Sequence, residues 1–230
     1  MAAPLALMQA PRYTTADAAR YLMIPIATLR SWVAGRTYPA TSGVVRTDPV
    51  IIRPDGEGGG QLSYANLIEA HVLRSLRTVH EVSMRDVRAA IDFAEHEMGI
   101  EHLLLHQDLR TGAGQIFLDQ YSKLIQLSKD GQLAMKATFE THLSRLDDYQ
   151  GGFPFRLYPF TRREATRQSP KLIVIDPRIA FGQPTTVNRA IRTSVIASRL
   201  SAGETVHDIA KDYDLRPAEV EEAAQYEKAA

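Results

Sequence analysis

Residues 14–36 read TTADAARYLMIPIATLRSWVAGR. The opening Thr14-Thr15-Ala16-Asp17 is a helix start. The Thr14 hydroxyl can accept from backbone N–H groups that have no partner within the helix, and Asp17 favours its positive end. Ala18, Ala19 and Leu22 then suit one face of a short helix. Pro25 opens a second helix, where its missing N–H costs nothing. Ile26, Leu29 and Val33 recur at spacings of three and four and predict a buried stripe, and Gly35 predicts the C-cap. Two short helices and a tight turn are helix-turn-helix geometry. Trp32, the one Trp of the chain, is expected in the core, because burying an indole is far more favourable than exposing it. The exposed side of the second helix is then left with Thr28, Arg30 and Ser31, with Arg36 following.

Downstream, Val50-Ile51-Ile52-Arg53 is a β-prone run, followed by Pro54-Asp55-Gly56-Glu57-Gly58-Gly59-Gly60 and Gln61-Leu62. This predicts a small hairpin, or wing, with a Gly-rich tip. The tip lacks the Gly-Lys-Ser/Thr of a P-loop and is not expected to hold a nucleotide. Ser63 caps a longer helix with a wide apolar face (Leu67, Ala70, Leu73), off which lie Arg74 and Arg77. A second Ser/Thr-x-x-Asp start at Ser83–Asp86 predicts a helix ending near Gly99. Residues 103–106, 115–119 and 122–127 read as short β-prone segments. A helix is expected from Gln132 to about Leu146, and an edge strand or extended arm over 153–160. After a polar, basic linker come a strand at Leu172–Ile175, a turn at Phe181-Gly182-Gln183-Pro184, and helices over 193–201, from Thr205 to Tyr213, and from Pro217. This last trihelical unit also looks like a helix-turn-helix.

The 230 residues carry 27 basic and 27 acidic side chains, but unevenly. Residues 161–200 hold eight basic side chains against two acidic, 1–50 five against two, and 201–230 three against eight. The basic windows are candidate anion surfaces, nucleic acid included, or simply solvated surfaces. With no Cys, disulfides and thiolate metal sites are excluded. No apolar run approaches the ~20 residues that span a bilayer. The start, MAAPLALMQAPRY, reads as a frayed leader, and a cytoplasmic protein is expected.

Two resemblances follow from these motifs. Residues 13–78 resemble the winged helix-turn-helix of MerR-type regulators, through Thr28-Leu29-Arg30-Ser31-Trp32, the Gly-rich wing and Leu62-Ser63-Tyr64-Ala65-Asn66-Leu67. That family usually follows Thr-Leu-Arg with two aromatics; here Ser31 replaces the first. Residues 172–224 resemble a bacterial domain of unknown function found in antitoxins of VapBC-type modules. The match runs through Ile175-Asp176-Pro177, Phe181-Gly182-Gln183-Pro184, Ile191-Arg192-Thr193, Ala202-Gly203-Glu204 and Tyr213-Asp214-Leu215. It departs from the usual form at Phe-Gly-Gln-Pro and Asn-Arg-Ala-Ile-Arg. The architecture is similar to a large VapB-type antitoxin. The resemblance implies repression of its own operon and binding of a PIN-domain ribonuclease toxin.

The fold class expected is α+β, mostly helical. It has a winged helix-turn-helix region over 1–100, an α+β middle region over 101–160, a basic linker over 161–170 and a C-terminal antitoxin-type domain over 171–230. The DNA-contacting candidates are Thr28, Arg30, Ser31, Arg36, Arg53, Arg74 and Arg77, since Arg clamps a guanine edge or a phosphate and Thr and Ser serve either. For Arg162, Arg163 and Arg167 three readings stand: phosphate tracking, pairing with the acidic site of a PIN-type toxin, or an exposed linker. Glu219, Glu221, Glu222 and Glu227 would set four carboxylates against phosphate charge, so the last helix is not expected to read DNA. His96, His102 and His106 lack a metal-binding pattern and read as a surface cluster. No cofactor, metal or catalytic constellation is expected. The expected partners are double-stranded operator DNA, a PIN-domain toxin and a second copy of the chain. A MerR-like regulator binding a small effector, with no toxin, is the alternative. A pure interaction module is a third.

Overall fold

The computed structural model describes residues 2–40, 43–54, 60–77, 84–99, 102–126, 128–162 and 166–229. The wing tip over 55–59, the helix start at Ser83 and Arg163 lie outside them. In chain order the elements begin with α1 (Ala2–Gln9), β1 (Pro11–Tyr13), α2 (Thr15–Tyr21), α3 (Ile26–Ala34), β2 (Arg36–Ala40) and β3 (Gly43–Thr47). Next are β4 (Leu62–Ser63), α4 (Tyr64–Arg77), α5 (Met84–Met98), α6 (Gly112–Leu124), α7 (Lys129–Leu143), β5 (Leu146–Gln150) and β6 (Phe153–Leu157). The chain continues through β7 (Ile173–Val174), β8 (Thr185–Thr186), α8 (Thr193–Ser201), α9 (Val206–Tyr213) and α10 (Pro217–Ala229). The fold is α+β and mostly helical. Its described strands pair as four antiparallel two-stranded ribbons, β1–β4, β2–β3, β5–β6 and β7–β8.

Helix α4 is the spine. Leu67, Ile68, Ala70, Val72, Leu73 and Leu76 are all buried, and so are Asn66, His71 and Ser75. A helix apolar on nearly every side must be surrounded, and α4 touches α1, α7, β1 and β4. Its start is fixed by a reciprocal pair: the Asn66 N–H donates to Ser63 Oγ at 3.2 Å, and the Ser63 N–H to Asn66 Oδ1 at 3.1 Å. The expected frayed leader is instead a helix, α1, with Met8 fully buried.

Three expectations change. Val50–Arg53 forms no strand: the N–H groups of Val50 and Ile51 donate to the Trp32 carbonyl at 2.8 and 3.0 Å, and Ile51 is fully buried. That run therefore plugs the C-terminal end of α3. The hairpin is formed earlier, by β2 and β3, with Arg36 opposite Thr47 and Tyr38 opposite Val45. The segments 115–119 and 122–127, read as β-prone, lie largely within α6; Phe117, Leu118 and Tyr121 are buried at helical spacing. Residues 103–106 are a 3-10 turn, Leu103–Leu105, that buries all three leucines. One apolar core runs from Met8 through Leu157 to Ile175, so residues 101–160 share it with the first hundred.

A smaller core joins Ile173, Ile196, Ile209, Leu215, Val220, Ala223 and Tyr226, with Met23 packed on it. The C-terminal unit thus sits against the first helix of the N-terminal pair. Tyr226 Oη donates to the Tyr21 carbonyl at 3.0 Å, and Tyr13 Oη to the Gly182 carbonyl at 2.9 Å. Arg20 pairs with Glu227 at 2.8 Å.

Candidate nucleic-acid interface

The helix pair forms as its residues dictate. The Asp17 N–H donates to Thr14 Oγ1 at 3.0 Å, capping α2. The connecting turn puts Met23 in the left-handed region (φ 51°) and returns the Ile24 N–H to the Ala19 carbonyl at 2.9 Å. Pro25 is the N-cap of α3, its carbonyl accepting from Thr28 and Leu29 at 2.8 and 3.1 Å. Leu29, Trp32 and Val33 are buried, so Trp32 is a core anchor. Ile26 is a correction: it is 36% exposed, because the first helical residue lies past the end of that stripe.

The outward face of α3 consists of Ile26, Ala27, Arg30 and Ala34, all exposed. Arg30 is the one charge among them. Thr28 and Ser31 are half-buried on its flank, and Ser31 Oγ donates to the Thr28 carbonyl at 2.7 Å. Ala27 and Ala34 were absent from the sequence reading; their spacings of three and four from Arg30 would have found them. Small apolar groups beside an arginine leave a surface that can approach base edges closely, with methyl contacts available to thymine.

Around α3 the other candidates separate. Arg36 opens β2, directly after the helix, and Arg77 ends α4. Their side chains lie outside the described ones. The hairpin missed in the sequence had a signal: Thr37-Tyr38 and Val44-Val45 flank Thr41-Ser42-Gly43, β-prone residues around turn formers. Arg53 is exposed and donates to the Gly60 carbonyl at 3.3 Å. Arg74 faces inward instead: its Nη1 donates to the Leu22 carbonyl at 2.6 Å, and its guanidinium lies 5.7 Å from the Phe160 ring centre. Burial pushes its pKa down. It braces the turn of the helix pair from behind.

The basic arm is also engaged internally. Arg162 reaches Glu222 at 3.1 Å, and Thr161 Oγ1 donates to the same carboxylate. Arg167 pairs with Glu140. The acids of α10 do not line one outward face. Glu219 is fully buried, accepting from Asn188 Nδ2 at 2.7 Å and from the Arg216 N–H at 3.0 Å. Glu222 is buried on Arg162, and Glu227 accepts from Arg20 and Thr193. Of the four, only Glu221 is exposed. Helix α10 packs against α8, α9, β7 and β8. His102 and His106 start two successive 3-10 turns, so they do not share a helix face.

Comparison with known proteins agrees with this geometry. Residues 11–91 match the family described as "Putative DNA-binding HTH domain", and residues 173–226 match "Protein of unknown function (DUF433)". The chain is 27% identical to "Putative antitoxin VapB45" of Mycobacterium tuberculosis over 93% of its own length and 92% of that protein's. It is also 23% identical to "Uncharacterized protein Rv2308" of the same organism, over 94% and 90% of the two lengths. The crystal structure of Rv2018 from Mycobacterium tuberculosis has the same fold, with a TM-score of 0.66 at 24% identity, covering 93% of this chain and 97% of that one. The similarity to a protein described as "Putative antitoxin VapB45" thus extends along nearly the whole length of the chain. No helix among the described residues is long and apolar enough to cross a membrane.

Proposed function

We propose that this chain is a non-catalytic antitoxin that binds operator DNA, represses its own operon and neutralises a PIN-domain ribonuclease. The observation that carries the reading is the outward face of α3, where Arg30 stands exposed among small residues within the matched helix-turn-helix segment. In a MerR-like arrangement α3 enters the major groove and the β2–β3 hairpin acts as the wing. Arg30 reads a guanine edge, Thr28 and Ser31 flank it, and Arg36, Arg53 and Arg77 contact phosphates. Pairing of two copies would set two α3 helices about 34 Å apart, one turn of DNA.

The test is a salt titration of binding to the chain's own promoter region. Arg30→Ala should weaken binding by about 1–3 kcal/mol, roughly 5- to 150-fold, with an unchanged melting temperature. Equal affinity at matched salt removes Arg30 from the interface.

One observation favours the regulator reading. A cleft of about 1150 Å3 lies between α1, the 49–54 segment, α4 and α5, lined by Ile52, Asn66, Glu69, Ile91, Glu95 and Leu104 among others. Burial raises the Glu69 carboxyl to about 7, with the neighbouring Glu95 charge adding. Such a cleft suits a small effector carrying both an apolar body and a hydrogen-bonding group. Promoter affinity that changes on adding a cell metabolite extract, with no toxin present, would favour that reading.

A further inference from the structure

The turn after β7 holds the most exposed large apolar side chain among the described residues, Phe181, at 88%. Its backbone is left-handed (φ 55°, ψ 31°), as is that of Ala180 before it (φ 46°). Residues with side chains adopt this conformation at a cost, and such costs persist where the surroundings enforce them. Here they do. The Gly182 N–H donates to the Ile179 carbonyl at 2.8 Å, the Gln183 N–H to Ala180 at 3.1 Å, and Tyr13 Oη to Gly182 at 2.9 Å. The ring is thus held out in water on a fixed base.

Arginines bond to residues on either side of this turn. Arg12 donates to the Pro177 carbonyl at 3.0 Å, and exposed Arg192 to Gln183 Oε1 at 3.3 Å. Arg178 and Arg156 share Asp176 and Asp148. Arg178 and Arg156 thus share two carboxylates, Asp176 being fully buried, while Arg12 and Arg192 make these bonds to neutral oxygens.

We propose that Phe181 is the anchor by which the chain docks its toxin, inserting into an apolar pocket rimmed by carboxylates. This rests on the antitoxin reading above and names Phe181, rather than Arg162 and Arg167, as the centre of the docking site. An exposed aromatic on a fixed turn, with arginines bonded to that turn, has the composition of an interface centre. It loses little conformational freedom on binding, because the turn is already fixed. A protein fits better than nucleic acid, because an apolar pocket would bury the exposed Phe181 ring on all sides.

The experiment uses the full chain and the protein encoded by the reading frame beside its gene, measured by titration calorimetry. Phe181→Asn tolerates the left-handed backbone, so its melting temperature should hold or rise. It should weaken the complex by at least ~30-fold, the effect of an interface hot spot. Phe181→Tyr should bind like the parent. Arg192→Glu should weaken binding and flatten its salt dependence. Promoter binding should be unchanged in the two Phe181 variants. An intact complex with Phe181→Asn overturns the proposal while leaving the antitoxin reading in place. Loss of promoter binding instead would overturn it in favour of a nucleic-acid contact. No complex with the parent chain overturns the antitoxin reading and this inference with it.

Discussion

At the scale of the residue, Gly182 carries more than a turn. Its φ is +75°, and a Cβ built there would lie 2.2 Å from Tyr13 Oη, the hydroxyl that bonds its carbonyl. Gly182→Ala should therefore cost about 3 kcal/mol, combining left-handed strain with overpacking. Chemical denaturation would measure this, and Tyr13→Phe in the same background should soften the clash. A loss under 1 kcal/mol in Gly182→Ala would mean that the contact yields freely. The sequence marked Phe181-Gly182-Gln183-Pro184 as a turn, which Gly and Pro announce locally. It could not mark Tyr13 as the partner, because that contact joins residues 169 positions apart. The same limit applies to Arg74. As a sequence it is a polar residue off a helix face, and only the tertiary fold supplies the Leu22 carbonyl and the Phe160 ring.

At the scale of the element, the segment that joins the two cores is held by a side chain from outside it. Arg145, just after α7, is fully buried. Its guanidinium donates to the carbonyls of Tyr158, Pro159, Ser169 and Pro170 at 2.7 to 3.0 Å and lies 4.9 Å from the Phe160 ring centre. Burial lowers its pKa to about 10. Residues 158–159 and 169–170, on the two sides of the basic linker, are therefore gathered on one buried cation. Arg145→Ala should cost about 3 kcal/mol or more, by leaving inward carbonyls unpaired, and should expose 158–170 to limited proteolysis. Resistance equal to the parent's would show that the segment holds without it. Elements with caps were legible: α2 and α9 start at the Thr-x-x-Asp sites, and α8 spans the predicted 193–201. The middle region was misread because Ile116, Phe117, Leu118 and Tyr121 are as common in strands as in buried helices. Their burial against α5 decided for a helix. The outward face of α3 was half legible: Arg30 follows from helical spacing, while the β2–β3 hairpin beside it went unread.

At the scale of the molecule, buried titratable groups set the pH profile. His71 and His142 lie between α4 and α7 with ring centres 5.1 Å apart. Burial lowers both, His142 to about 4 from an ordinary 6.5. The unfolded chain then takes up protons that the folded one does not, so stability is lost as pH falls from about 6.5 to about 4, by about 3 kcal/mol for His142. Glu69 acts oppositely. Its folded carboxyl titrates near 7 against an ordinary 4.5, so its share of stability grows as pH falls through that window. Glu69→Gln should raise the melting temperature near pH 8 and steepen its fall between pH 6.5 and 4.5. Parallel melting curves for variant and parent would remove Glu69 from this balance. A separate consequence follows from the bond between Tyr226 and Tyr21, which are 205 residues apart. During synthesis at 5–20 residues per second, α2 leaves the ribosome roughly 10–40 s before its partner on α10. The helix that supports Arg30 thus waits for nearly the whole chain before its packing is complete, and a message cut short would yield a helix pair lacking that support.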